Sequence, residues 1–239
     1  TMKGVILGIN PDVRIVDVTH GIDPQDVREG AFIIEECYRY FEKGTIHLAV
    51  IDPTVGSDRK PIIFAKDGYF FVGPDNGLFS LIFDDSSRIF AIENKRYMRK
   101  PVSSTFHGRD IFAPAAAYLA SGVQLSAFGA IIGGSPLRLG GLHPKVEGNT
   151  LKGEVVRFDR FGNAITNISA LAMEDFLQGR PYTVHLQDTS FPGLHRAYFE
   201  AEITCLMGSA GYLEFAWFEG SLRDRMSLHK GIPVVISVQ

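Results

Sequence analysis

The chain has 239 residues, 45% of them apolar and 21% charged, which is ample for a buried core and too little charge for a disordered chain. Its 24 Lys and Arg against 27 Asp and Glu leave a net charge of −3, so an electrostatically driven nucleic-acid binder is excluded as the default. Two cysteines, Cys37 and Cys205, stand far apart with no Cys-x-x-Cys pattern, which excludes a zinc ribbon or disulfide framework and fits a reducing, cytoplasmic setting.

The first residues, Thr1 to Gly8, open directly in a helix-like pattern with nothing to cap it; they carry no signal-peptide features. Residues 13–18 form a β-branched run and read as a short strand. Asp23-Pro24 then reads as an N-cap followed by proline in the first helical turn. Val27, Ala31, Ile34, Tyr38 and Phe41 recur at helical spacing behind it. Gly44 ends that pattern, and residues 45–51 read as a buried, central strand. Residues 61–65 and 69–72 form a hairpin across Lys66-Asp67-Gly68, residues 78–83 a short helix, and residues 88–92 a further strand. An Ala-rich helix over 110–120 stops at Ser121-Gly122. Alternating strands and helices predict an α/β layer with a largely parallel sheet over residues 1–142.

The texture changes at Gly140-Gly141, and residues 143–150 read as a linker. Residues 151–239 show hardly any helical periodicity and many short β-rich runs between turn residues. They predict an all-β barrel or sandwich domain. No run of about 18 apolar residues is present to cross a membrane as a helix.

Three segments could carry chemistry. In an α/β sheet, ligands gather where loops leave the carboxyl ends of strands. Asp52-Pro53-Thr54-Val55-Gly56-Ser57-Asp58-Arg59 is such a loop; Asp52 is either a turn-capping residue beside a surface Arg59 or a carboxylate kept buried for use. Ser103-Ser104-Thr105-Phe106-His107-Gly108-Arg109-Asp110 crowds polar and aromatic residues at a helix start, with His107 either structural or catalytic. Asp159-Arg160-Phe161-Gly162-Asn163 is an ordinary turn or a base reader, with Asp159 and Asn163 on the polar edge and Phe161 for stacking. A metal set of Asp52, His107 and Asp110 lacks diagnostic spacing, and no metal is expected. Phosphate-loop, dinucleotide, nucleophile-elbow and zinc-protease motifs are absent.

In this order, Val16-Asp17-Val18-Thr19-His20, Gly44 through Arg59, Gly73-Pro74-Asp75-Asn76-Gly77, Thr105-Phe106-His107-Gly108-Arg109-Asp110-Ile111-Phe112-Ala113-Pro114 and Asp159 to Ile168 resemble the S-adenosylmethionine hydroxide adenosyltransferase family, relatives of the fluorinating and chlorinating enzymes. The resemblance spans nearly the whole chain. It implies an N-terminal α/β domain, a C-terminal β-barrel and a homotrimer with active sites between subunits. It implies hydrolysis of S-adenosylmethionine, the substrate and no cofactor, to adenosine and methionine by water or hydroxide attack on ribose C5′. The family's catalytic Asp, Arg and His fall on Asp52, Arg59 and His107, with Asp52 and His107 expected to take the proton of the attacking water and Arg59 to orient Asp52. Substrate contacts fall on Val55, Asn76, Phe106, Gly108, Asp159, Phe161, Asn163, Ser209, Tyr212, Trp217 and Glu219.

Val55 stands where the halogenating relatives use a hydroxyl residue, and His107-Gly108 replaces an aromatic followed by Ser or another small residue, so hydrolysis is favoured over halogenation. A non-catalytic adenosine-binding module is the other alternative. Thr54 departs from the family's usual Gly, Phe218 from its usual Asn, and Trp217 is bulkier than usual. The resemblance also implies a strand with a Thr-Asp-Phe-Gly motif ahead of Met2-Lys3-Gly4, a motif not contained in these 239 residues.

Overall fold

The computed structural model describes residues 1–238. The chain divides into two compact units, Thr1–Gly140 and a second beginning at Gly141.

In the first unit, α1 (Met2–Ile9) follows Thr1, whose side chain makes no capping bond. α2 (Val27–Cys37) is capped by Asp26, whose carboxylate accepts from Glu29 N at 2.8 Å, and not by the expected Asp23. Gln25, at φ +73°, turns the chain between the two acids, so Pro24 lies outside the helix. Residues 13–18 form no strand: Val16 and Val18 are exposed, and no strand among the described residues pairs with them.

Strands β1 (Ile46–Leu48), β2 (Pro61–Lys66), β3 (Tyr69–Pro74) and β4 (Ile89–Ala91) form a sheet in the order β1-β3-β2-β4. The sheet is mixed where a largely parallel one was expected. β1 runs parallel to β3, but the tight turn at Asp67-Gly68 forces β2 and β3 antiparallel, and β4 is antiparallel to β2. β1 is an edge strand among the described residues, so Asp52 leaves an edge and not the centre.

Side chains alternate across the sheet. Ile62, Phe64, Tyr69 and Phe71 enter a core on one face with Ile34, Tyr38 and Phe79 from α2 and the following loops. Ile63, Val72 and Phe90 enter another on the opposite face with Ile111, Phe112 and Ala115. Both faces being covered explains why β2 and β3 read as continuous apolar runs. The segment expected as a helix over 78–83 is a chain of turns, held by bonds such as Ser80 N to the Gly77 carbonyl. A π-helical turn, Gly108–Phe112, leads into α3 (Ala113–Ala120).

The second unit is an eight-stranded, barrel-like antiparallel sheet in the order β10-β11-β7-β6-β12-β8-β9, with β5 on β6. Its strands are β5 (Lys145–Glu147), β6 (Thr150–Phe158), β7 (Ala164–Ser169), β8 (Tyr182–Leu186), β9 (Thr189–Phe191), β10 (Ile203–Met207), β11 (Tyr212–Trp217) and β12 (Pro233–Val238). The span 143–150 therefore carries strand β5. Two helices interrupt the β pattern, α4 (Ala170–Leu177) and α5 (Leu222–Arg225). α4 was not expected. Ser169 accepts from Ala172 N at 3.2 Å to start it, and Gln178 at φ +48° ends it.

Candidate active site

The turn after β1 is fixed by its neighbours. The Asn76 amide donates to the Ile51 carbonyl at 2.7 Å and accepts from Leu78 N at 3.3 Å, so both its ends are used to hold the backbone next to Asp52. Val55 N returns to the Asp52 carbonyl at 3.3 Å, closing a tight turn. Gly56 sits at φ +83°, and a Cβ there would lie 2.5 Å from the Ser104 carbonyl oxygen. Only glycine lets this loop approach the loop that carries His107.

Across that approach the three expected catalytic residues meet. Arg59 donates from Nε to Asp52 Oδ1 at 2.9 Å and from Nη2 to Asp52 Oδ2, a bidentate pair. The same Nη2 donates to His107 Nδ1 at 2.8 Å. The Asp52 and Arg59 side chains are only 5% and 6% exposed, and the guanidinium lies 5.3 Å from the Phe112 ring centroid. Arg59 Nη1 is buried without a partner among the described residues.

This geometry fixes the imidazole. A guanidinium can only donate, so Nδ1 of His107 is the acceptor and the neutral ring carries its proton on Nε2. Burial lowers the His107 pKa below its ordinary 6.5, and the Arg59 charge lowers it further, against weaker upward pulls from Asp52 and Asp110. Neither His107 nor Asp52 is then an idle base: Nδ1 is engaged by Arg59, and both Asp52 oxygens are engaged by the fork, Oδ1 also accepting from Thr54 at 3.4 Å. In this tautomer His107 Nδ1 is not free to take a proton, while Asp52 Oδ2, with one bond from Arg59, keeps a lone pair.

The π-helical turn presents His107. Asp110, 1% exposed, accepts from Arg109 Nε and Nη2, both at 2.7 Å, and from Ser103 N at 2.9 Å, tying the two ends of the loop together. Its pKa is lowered, chiefly by Arg109. Phe106 is exposed with Arg109 over its ring, and Gly108 fits against Met2 of α1. Asp110 and Asp52 being spent on guanidinium groups, the residues of a hypothetical Asp52–His107–Asp110 metal set are already committed. Among the described residues, Asp23, Asp26 and Glu29 lie close enough together to share a cation, and Asp26 is also the α2 cap.

The second unit brings another group together. Asp159 Oδ1 accepts from the backbone N–H groups of Phe161 and Asn163, both at 2.9 Å, and Oδ2 accepts from Asn163 Nδ2 at 3.0 Å. Asn163 is buried while Phe161 is exposed at the turn tip. Trp217 and Glu219 lie at the end of β11, with Arg225 stacked 4.6 Å from the Trp217 ring and Glu219 at φ +53°. Ser209 lies in the β10–β11 turn and Tyr212 opens β11, at the other end of that strand.

Between the two ends stands Glu214, which the sequence reading missed. It is buried, accepts from Tyr198 Oη at 2.9 Å and is hydrogen-bonded by the Asn163 side chain. A carboxylate inside the otherwise apolar run Tyr212-Leu213-Glu214-Phe215-Ala216-Trp217 was the available signal, because a charge is rarely buried without a partner.

Comparison with known proteins assigns both units to one family. The profile of the S-adenosylmethionine (SAM) hydroxide adenosyltransferase N-terminal domain matches residues 1–129, and that of the C-terminal domain matches residues 153–235. The chain is 36% identical to an (R)-S-adenosyl-L-methionine hydrolase of Thermus thermophilus, across 98% of this chain and 91% of the relative. It is 27% identical to a fluorinase of Nocardia brasiliensis, across 99% and 91%. A crystal structure of a conserved protein from Thermotoga maritima superposes with a TM-score of 0.86 at 32% identity, covering 99% of this chain and 93% of the other. The chain belongs to the SAM hydroxide adenosyltransferase family.

Proposed function

We propose that this protein hydrolyses (R)-S-adenosyl-L-methionine to adenosine and L-methionine, with Asp52, Arg59 and His107 as the reaction centre. The observation that carries the reading is the buried Asp52–Arg59–His107 array, in a chain 36% identical to a relative named for this activity. Water attacks ribose C5′, the C5′–S bond breaks with its electron pair going to sulfur, and one proton is released. The sulfonium is already a good leaving group, so the reaction is written without acid catalysis at sulfur, and SAM enters as substrate.

The protein's task is to hold the oxygen in line with the C5′–S bond, and positioning of this kind can contribute about 7–11 kcal/mol. In the tautomer fixed by Arg59, His107 offers Nε2–H to the attacking oxygen and supports a developing hydroxide, and Arg59 Nη1 is a buried donor without a partner among the described residues. The proton leaves to solvent. Asp52 holds Arg59, and Asn76 holds the turn that carries Asp52, which makes Asn76 a support in this reading. Val55, Phe106 and Gly108 border the reacting end. Asn163, set by Asp159, reads the base with Phe161 against its face, and Ser209, Tyr212, Trp217 and Glu219 complete the substrate contacts.

A homotrimer in the cytoplasm, where SAM is made, completes the proposal; the two free thiols accord with that setting. Partners other than the small-molecule substrate, such as nucleic acid or membrane, are not part of it. Among the described residues no helix is long and apolar enough to cross a membrane.

The test is incubation with SAM in ¹⁸O-labelled water, followed by chromatography and mass spectrometry. Labelled adenosine and unlabelled methionine are expected from the wild type, and a loss of both from Asp52→Asn, which keeps the side-chain volume. Absence of adenosine from the folded wild type would overturn the proposal. Added halide producing a 5′-halo-adenosine would favour the halogenase reading, against which Val55 supplies no hydroxyl.

A further inference from the structure

We propose that Glu214 is a positioning residue for base recognition: with Asp159 it holds the Asn163 amide in one orientation, nitrogen inward and oxygen turned away from both carboxylates, so that the site selects a 6-amino purine over a 6-oxo one. This rests on the proposed reading of Asn163 as the base contact. The argument begins with the two hydrogens of the Asn163 amide. One goes to Asp159 Oδ2 at 3.0 Å, and the side chain also bonds Glu214. Each carboxylate is itself fixed from another side. Asp159 is clamped by the backbone N–H groups of Phe161 and Asn163. Glu214 is held by the Tyr198 hydroxyl at 2.9 Å on Oε1, and its Oε2 lies against Gly208, where a Cβ would come within 2.4 Å.

An ionised carboxylate only accepts hydrogen bonds. Rotating the amide by half a turn would place its oxygen against two carboxylates, so the flipped form is repelled twice. Asn163 and Glu214 are each 7% exposed, so water does little to relieve that repulsion. The outward oxygen accepts from the exocyclic amine of a 6-amino purine and meets a repulsive carbonyl in a 6-oxo purine. Sites built on such a donor–acceptor match discriminate by about 10- to 100-fold per pair of contacts.

Glu214→Gln tests this with nearly unchanged volume, since the new amide can donate to a flipped Asn163. Titration calorimetry of the full chain with adenosine and with inosine gives the readout. The wild type is expected to prefer adenosine by about 100-fold, and Glu214→Gln to lose roughly tenfold of that preference by gaining inosine affinity and losing adenosine affinity. A merely structural role would weaken both ligands equally and leave the ratio unchanged. Tyr198→Phe, at a half-exposed position, releases Glu214 without touching the amide and is expected to shift the ratio the same way by less. A ratio unchanged in both variants overturns the inference while leaving the hydrolase reading intact. Failure of the wild type to bind adenosine overturns the inference, while the hydrolase reading stands or falls separately on adenosine formation in the labelled-water experiment.

Discussion

At the scale of single residues, the decisive group is Arg59, because its one-way hydrogen-bonding chemistry dictates the state of both neighbours. With Nδ1 accepting from Arg59 at 2.8 Å, a second proton on the ring would sit between the imidazole and a guanidinium. The His107 pKa is accordingly lowered from 6.5, first by burial and then by Arg59. As pH falls, His107 therefore stays neutral past the point where a free histidine would charge. The acid limb of kcat/KM is therefore expected below pH 6.5. A pH–rate profile from pH 4 to 8 checks it, and a limb centred at 6.5 or above would remove the Arg59–His107 bond from the working enzyme. None of this was legible from residue types. Asp52 and Arg59 are close in sequence and their pairing was anticipated, but His107 is 48 positions beyond Arg59, and only the fold brings the third member in. The resemblance named the three residues; it did not reveal that Arg59 occupies the ring nitrogen.

At the scale of elements, local chemistry was readable where one signal stood alone and failed where two competed. The hairpin of β2 and β3 was clear because two apolar runs flank a single turn, Asp67-Gly68, with both residues at positive φ. The start of α2 offered two acids three positions apart, and the choice between them fell to the backbone of Gln25, which no propensity specifies. Strand β1 is shorter than its apolar run and pairs with β3 at three positions, Phe70, Phe71 and Val72. α4 was hidden because one short helix following a serine carries little periodicity within a β-rich stretch. The element with the largest consequence for the site is the turn at Gly56, where the Asp52 and His107 loops touch. Gly56→Ala combines positive-φ strain of about 1–2 kcal/mol with a contact 2.5 Å from the Ser104 carbonyl. A displacement of about 1 Å between the two loops is expected to lower kcat roughly 100-fold. Gly44→Ala supplies the control: φ there is +90°, yet nothing lies within 4 Å of the added Cβ. Thermal melts are expected to show destabilisation in both variants, larger in Gly56→Ala because of the added contact, with activity lost only in Gly56→Ala. Equal activity in both would show that the close approach does not matter to the site.

At the scale of the whole molecule, the two units carry separate cores: the buried clusters around Ile62 and Ile63 lie in the first, and the cluster around Phe215 in the second. Their responses to mild acid are expected to differ in sign. In the first unit His47 is buried among Tyr38, Phe41, Tyr69 and Phe71, stacked 5.3 Å from Phe71, with Nε2 unpartnered among the described residues. Desolvation lowers its pKa from 6.5 to about 4. Between these values the unfolded chain binds a proton that the folded unit refuses, so stability is full above pH 6.5 and is lost as pH falls toward 4. At pH 5 the loss is about 2 kcal/mol, which for a unit of this size is a fall in melting temperature on the order of 5–10 °C. The paired carboxylates Asp17, Asp84 and Asp110, with lowered pKa values, lose their contributions only at lower pH, and Asp75, raised by burial, opposes them. In the second unit Glu214 is raised above 4.5, chiefly by desolvation. There the folded form takes up the proton first, so this group adds stability as pH falls. Differential scanning calorimetry at pH 7 and pH 5 is expected to show the first unit's transition moving down while the second unit's holds or rises. His47→Phe, which keeps an aromatic ring against Phe71, should abolish most of the first unit's shift. An equal shift in His47→Phe and wild type would assign the acid sensitivity to some other group.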